Sequence, residues 1–412
     1  MPIVMSNPLS QRVQRMSESA TIKMAQMARD LKAQGHDVIS LSLGEPDFDT
    51  PNHIKEAAKK ALDEGYTKYT PVPGLVELRE AIAEKFKRDN GLDFDISQIV
   101  VSNGAKQSIA NLCLALLDEG DEAILFAPYW VSYLEIVKLA RGVPVELKAG
   151  VEQDFKVTPE QVEAAITKRT KIIIFSSPCN PTGSVYSAND LEAIAKVVAK
   201  HENVFIISDE IYEYINFIGK HASIGTFPEV KDRTITVNGF AKGFAMTGWR
   251  LGYIGGPQWI AKACAKIQGQ FTSGATAFGQ KAAVHALRAD LAPSWKMRDA
   301  FLKRRDLVRE LLSEIPGFKV NLPEGAFYFF PDISAYFGTS DGKAKIDNAN
   351  DFCEYLLNSA HVAVVAGSAF GADNCFRLSY AASEEQLREA VRRIKEAMRR
   401  LKFLSESGFT GF

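Results

Sequence analysis

Between residues 98 and 254 the chain carries seven short runs rich in Val, Ile, Leu and Phe, most of them separated by segments of helix length. The runs cover 98–102, 123–126, 143–147, 171–175, 204–208, 234–237 and 251–254. Strands that are apolar along their whole length and alternate with helices belong in a mainly parallel sheet whose two faces are both covered. The expected fold is therefore α/β, with a mostly parallel seven-stranded sheet sandwiched by helices. Open sheets of this kind take ligands at the carboxyl ends of their strands.

Two of those ends carry the sharpest signal. The run 204–208 stops at Asp209-Glu210, and the run 234–237 leads through Gly239 to Lys242, with Arg250 beyond it. A carboxylate, a lysine and an arginine at successive strand ends suit a cofactor with a cationic ring nitrogen, an aldehyde and a phosphate. Pyridoxal phosphate is such a cofactor: the carboxylate keeps the ring nitrogen protonated, the lysine forms a Schiff base and the arginine holds the phosphate. Singly, each has a plainer role, Asp209 as a helix N-cap, Lys242 as a solvated lysine and Arg250 as an ion-pair partner.

Other ends add to the pattern. Ser102 runs into Asn103-Gly104-Ala105-Lys106, which opens a helix; this is either a plain turn or an anion site built from free amides. A cation is mildly disfavoured in a first helical turn, so Lys106 there favours an anionic partner. Tyr129 and Trp130 follow the run 123–126 and serve either the core or a planar ligand. Pro178 and Pro181 flank Asn180, making a rigid turn or an amide aimed at a ligand oxygen, and both Xaa-Pro bonds are candidates for the cis form. Gly44 follows a strand candidate at 38–43 and suits a turn or a close ligand approach. Arg377 lies in the apolar run 375–380, where it needs an anion, from a distant acid or from a substrate carboxylate. The loop 65–74 carries Tyr66 and Tyr69 without an obvious core role.

The flanks read differently. Residues 1–15 form a polar arm, and helical spacing runs from Thr21 to Gly35, over 52–64 and over 76–88. After Pro257 the pattern is helical, including 293–312, and shorter strand candidates follow at 318–321, 326–330, 362–365 and 375–379. They make a smaller α+β unit, to which residues near Ile39 return. A last helix starts at Ser383, with Gln386 completing a capping box, and its stripe is Leu387, Val391, Ile394, Met398 and Leu401. The tail after Phe403 reads as poorly ordered. The expected division is an arm at 1–15, a small domain from 16–50 and 310–412, and a large cofactor-binding domain at 51–309.

A net charge of −1 gives no electrostatic case for nucleic acid or an anionic membrane. The five cysteines are scattered without metal-ligand spacing, as in a reduced, cytoplasmic protein, and no metal is expected. No signal-peptide core or long apolar span is present. Dinucleotide, Walker A, zincin and serine-hydrolase motifs are absent.

Taken together, SLGEPDFDTP, KYTPVPGLVELREA, PCNPTG, SDEIYE, AKGFAMTGWRLGY and CFRLSY, in that order, resemble the class I aminotransferases of the fold-type I pyridoxal-phosphate superfamily over about residues 13–401. SATIK, GAKQ and APYWVSY bring the likeness nearest to bacterial aspartate aminotransferases. The resemblance implies that Lys242 forms the Schiff base and then shuttles a proton. It implies that Asp209 pairs with the ring nitrogen, that Tyr212 and Asn180 bond the ring's phenolic oxygen, and that Trp130 stacks on the ring. The phosphate falls to Gly104, Ala105, Lys106, Arg250 and Tyr69 of a second subunit, so a homodimer with shared sites is implied. Gly44 and Arg377 fix the substrate α-carboxylate, with Trp130 and Asn180 beside it, and Lys106 and Thr21 receive the distal carboxylate of a dicarboxylic amino or 2-oxo acid. Gly239 and Ala241 stand where many relatives have serine, and Ala366 stands where proline is usual. The implied reaction is ping-pong transfer between L-aspartate and 2-oxoglutarate. A prephenate or broader aromatic aminotransferase is the alternative, a lyase or decarboxylase on the same fold is a further one, and a non-catalytic sensor is disfavoured because the chain has no room for a DNA-binding domain.

Overall fold

The computed structural model describes residues 8–403. All seven strand candidates fall in one seven-stranded sheet. In chain order the strands are β1 Ile99–Ser102, β2 Glu122–Ala127, β3 Val143–Lys148, β4 Thr170–Ser176, β5 Phe205–Asp209, β6 Thr234–Gly239 and β7 Gly252–Gly255. Their spatial order is β1-β7-β6-β5-β4-β2-β3. β7 runs antiparallel to both its neighbours, and every other pairing is parallel.

The two-residue period of a strand explains the continuous apolar runs. In β4, Ile172 and Ile174 join a core with Ile109 and Leu112 of the helix Ala105–Leu116 on one face. Ile173 and Phe175 join another with Leu191 and Ile194 of the helix Ala188–Ala199 on the opposite face. Only edge strand β3, Val-Pro-Val-Glu-Leu-Lys, is largely open to solvent; its proline and charges suit an edge. A third core, under the helices Asn52–Asp63, Val76–Lys85 and Ala277–Arg288, closes the end of the sheet carried by β1 and β7.

A separate core gathers Met24, Ile39 and Leu41 with Phe301, Phe352, Val362, Leu378 and Ile394. Ile39–Ser40 pairs in parallel with Val362–Ala363, so the N-terminal segment does return to the C-terminal unit. Ladders here are shorter than expected. Ala326 adopts φ +56°, which delays the candidate at 326–330 until Tyr328–Phe329. The candidate at 318–321 is reduced to one bridge between Lys319 and Asp332. The long helix, Ala292–Ser313, runs unbroken through position 310. In the last helix, Glu384–Met398, Ser383 Oγ accepts the Gln386 N–H at 3.2 Å, one half of the expected capping box.

Of the arm at 1–15, residues 8–15 are exposed and form one short helix, Gln11–Gln14, while 1–7 lie outside the described residues. The tail after Phe403 also lies outside them. All five cysteines are buried free thiols. Among the described residues no helix is long and apolar enough to cross a membrane.

Candidate active site

The carboxyl ends of five strands surround one cavity of about 270 Å³. Ser102 at the end of β1 leads to Gly104, which takes φ +86° so that the chain can turn into the helix Ala105–Leu116. A Cβ on Gly104 would collide with the Arg250 guanidinium. The Gly104 N–H, expected to serve an anion, is bonded to the Ser102 carbonyl at 2.8 Å. Ala105 and Lys106, the first two residues of the helix, have amides with no intrahelical acceptor. Arg250 sits at φ +56° with Nη1 donating to the Thr247 carbonyl at 2.9 Å, and with Lys106 it lines the same wall.

Lys106 Nζ lies 4.9 Å from the Trp130 ring centroid. Loss of surrounding water, and then the Arg250 charge, hold its pKa below the ordinary lysine value. Thr21 is on this side of the cavity, and its buried hydroxyl has no partner among the described residues.

Asp209 ends β5, in register with Ser176 of β4. It is 4% exposed and makes no ion pair among the described residues. Its Oδ2 accepts the Tyr133 O–H at 2.6 Å and its Oδ1 the Ile211 N–H at 3.2 Å. Burial drives its pKa up to about 6 against those two bonds. A buried carboxylate without a cation is costly, and this one faces the cavity.

The turn after Asp209 is locked from behind. Glu210 accepts from Ser208, Ser223 and Asn90 and is bonded to His221, while Lys85 pairs with Glu213 and bonds Asn90 at 2.6 Å. This network ties the turn to the helical segment at 85–90 and leaves Asp209 and Tyr212 on the cavity side.

Lys242 follows β6, and its Nζ donates to the Gly44 carbonyl. Burial, with the Arg377 and Arg250 charges adding and Glu45 and Asp209 opposing, brings its pKa down to about 8. Gly239 at the end of β6 has no room for a side chain: a Cβ there would lie 2.9 Å from the Leu251 carbonyl oxygen. A serine at 239 would therefore require the β6–β7 pairing to shift.

Arg377 is 1% exposed and has no acidic partner among the described residues. Nη1 donates to Asn180 Oδ1 at 2.9 Å and Nη2 to the Ser42 carbonyl at 2.6 Å, while buried Nε has no partner among the described residues. The guanidinium lies 4.6 Å from the Tyr328 ring and 4.9 Å from Phe370. Burial lowers its pKa, yet an arginine stays charged. The arginine thus keeps its charge without a counter-ion among the described residues, and it opens on the cavity.

Asn180 stands between cis bonds at Ser177-Pro178 and Asn180-Pro181. Its Oδ1 is occupied by Arg377, which leaves Nδ2 for another acceptor. The Tyr212 hydroxyl is 2.7 Å from that of Tyr328.

Gly44, Gly104, Ala105, Lys106, Trp130, Asn180, Asp209, Tyr212, Lys242, Arg250, Arg377 and Thr21 therefore surround one space. Tyr69 does not. It is 99% exposed and lines a separate surface hollow with Tyr66 and Phe278. The sequence reading missed Tyr133, Ser176 and Tyr328. Tyr133 stands three residues after Trp130, close to one helical turn, which was the available signal. Ser176 ends β4 beside the Asp209 strand and lines the cavity. Tyr328 carried no local mark.

The donor set fits pyridoxal phosphate: an uncompensated buried carboxylate for a pyridinium, an amine of lowered pKa for an aldehyde, and unpaired first-turn amides with Arg250 for a phosphate.

Comparison with known proteins agrees. The family model "Aminotransferase class I and II" matches residues 36–394. A bifunctional aspartate aminotransferase and glutamate/aspartate-prephenate aminotransferase of Petunia hybrida is 49% identical over 395 residues, covering 95% of this chain and 82% of that protein. Among solved structures, the aspartate aminotransferase of Rhizobium meliloti superposes with a TM-score of 0.93 at 43% identity, covering 96% of this chain and 100% of that one. The Thermus thermophilus enzyme with maleate gives 0.89 at 45% identity, covering 95% and 100%.

Proposed function

Because the chain belongs to the class I and II aminotransferases, we propose that it is an aspartate aminotransferase, exchanging the amino group between L-aspartate and 2-oxoglutarate to give oxaloacetate and L-glutamate. The observation that carries this reading is the pair of cations lining one cavity: Arg377, buried with no acid among the described residues, and Lys106, on a wall that also carries the Thr21 hydroxyl. Two carboxylates of one substrate match them.

Pyridoxal phosphate, when bound, supplies an aldehyde for the amino group and a protonated ring that draws electrons from the substrate Cα. Asp209 holds the proton on the ring nitrogen, and Trp130 offers a face to the ring. The Ala105 and Lys106 amides, with Arg250, hold the phosphate. Tyr212 and Asn180 Nδ2 donate to the phenolic oxygen. Arg377 and the Gly44 backbone orient the α-carboxylate. Lys242, an amine whose pKa of about 8 leaves a far larger neutral fraction near physiological pH than an ordinary lysine has, would accept the proton from the substrate Cα and give it back on the same side of the cavity.

Tyr69 belongs to the same reading through a second copy: a fully exposed tyrosine beside an apolar hollow suits a homodimer in which it reaches the partner's phosphate. The reading keeps 16–50 with 310–412 as a small domain and 51–309 as a large one. Prephenate is the second substrate class, supported by apolar Ile22 and Trp130 on the cavity wall and by the bifunctional petunia relative.

Rapid-mixing absorbance tests the proposal. Aspartate alone should bleach the cofactor band and 2-oxoglutarate should restore it, with prephenate as the next acceptor. A band that ignores aspartate but answers to phenylalanine would overturn the dicarboxylate assignment. Sedimentation should give twice the 45.4 kDa chain mass.

A further inference from the structure

Tyr328 connects two groups that the proposed reaction uses separately. It stands opposite Ser379 in an antiparallel pairing, with Arg377 two residues along the same strand as Ser379 and so on the same face. That placement sets its ring 4.6 Å from the Arg377 guanidinium. Its hydroxyl lies 2.7 Å from that of Tyr212. The same hydroxyl occupies the space a side chain at 44 would need, since a Cβ on Gly44 would fall 2.5 Å from it. The Gly44 carbonyl in turn receives Lys242 Nζ. Tyr328 is fully buried, and burial keeps its phenol protonated.

We propose that Tyr328 is a positioning residue that sets the donor strength of Tyr212 through its hydroxyl and steadies Arg377 through its ring. The inference rests on the cofactor assignment above. Each phenol has one proton. Between the two hydroxyls alone, either oxygen can be the donor. Once Tyr212 gives its proton to the cofactor's phenolic oxygen, Tyr328 must be the donor to Tyr212. A hydrogen bond received by the Tyr212 oxygen polarises its O–H and strengthens the bond it gives. The phenolic oxygen then carries less charge beside the lysine-linked nitrogen, and that nitrogen releases its proton at lower pH. Tyr328 thereby links the residue that meets the substrate carboxylate to the residue that sets cofactor protonation.

Tyr328→Phe removes the hydroxyl and keeps the ring. In the cofactor-loaded protein the pH midpoint of the cofactor–lysine absorbance band should rise by about half a pH unit or more. Maleate affinity, read by its effect on that band at a pH where both proteins carry the same protonation state, should stay within about twofold. Tyr328→Leu removes the ring as well and should weaken maleate binding about tenfold, the low end of what a lost cation–π contact and packing contribute. An unchanged midpoint in Tyr328→Phe, with the band present and the melting temperature kept, would overturn the proposal. A parent protein that develops no such band would instead overturn the cofactor assignment, and this inference with it.

Discussion

Tyr133 reaches Asp209 from a different structural layer: its hydroxyl donates to Oδ2 at 2.6 Å from the helix Ser132–Leu139, which packs against the sheet that Asp209 terminates. The bond favours the ionised carboxylate, while burial disfavours it. In Tyr133→Phe the Asp209 pKa should climb from about 6 by roughly one further unit. Retention of pyridoxal phosphate during dialysis should then fail at a pH higher by that amount, which a series of buffers between pH 5 and 8 would show.

Asp209 is also a stability statement. Its carboxyl keeps a proton to about pH 6 in the folded chain and to about 3.9 in an unfolded one. Folding therefore binds a proton between those values, so stability is highest below the lower one and falls as pH rises through the upper one. Cofactor-free Asp209→Asn should be more stable than the parent by about 2–3 kcal/mol at pH 7.5 and equal to it near pH 4. Urea denaturation at the two pH values checks this, and equal stability at both would contradict it.

The lowered Lys242 pKa predicts how fast the protein captures its cofactor. The rate of cofactor uptake should follow the neutral amine and level off above about pH 8, where an ordinary lysine would still be gaining. Arg377→Leu removes the largest charge contribution to that shift, so the plateau should move to higher pH. Stopped-flow absorbance across pH 6.5–10 reads both.

Arg377 separates function from folding. An arginine buried without an acid adds little to stability, and an apolar replacement of similar bulk is often neutral. Arg377→Leu should melt within a few degrees of the parent yet lose roughly a hundredfold or more in kcat/KM for aspartate, from the lost charge-assisted bonds. A large drop in melting temperature would assign the residue to the fold instead.

Lys106→Gln tests substrate choice. Removing the charge while keeping a donor should lower kcat/KM for aspartate by about tenfold and leave phenylalanine within about threefold. Equal losses on both substrates would place Lys106 at the phosphate alone.

The Asp209 strand end, the Lys242 loop and the glycine turn before Lys106 were legible because each is a local signal: an apolar run that stops at a charged or flexible residue. The seven large-sheet strands were legible for the same reason, since burial on both faces writes itself as uninterrupted Ile, Val and Phe. The small ladders were not. A pairing as short as Tyr328 with Ser379 leaves too few residues for any period to show.

The sequence by itself determined the α/β architecture, the order of the strands along the chain and the set of chemical groups at their ends, because these follow from neighbours within a few residues. Tertiary structure alone decided which groups meet. Asn180 and Arg377 stand 197 positions apart and share a 2.9 Å hydrogen bond, and Tyr212 and Tyr328 stand 116 apart and share one of 2.7 Å. It also decided that Asp209 should titrate near 6 and Lys242 near 8. Those values depend on how much water packing removes and which charges it brings close, and neither quantity is written in any short stretch of chain.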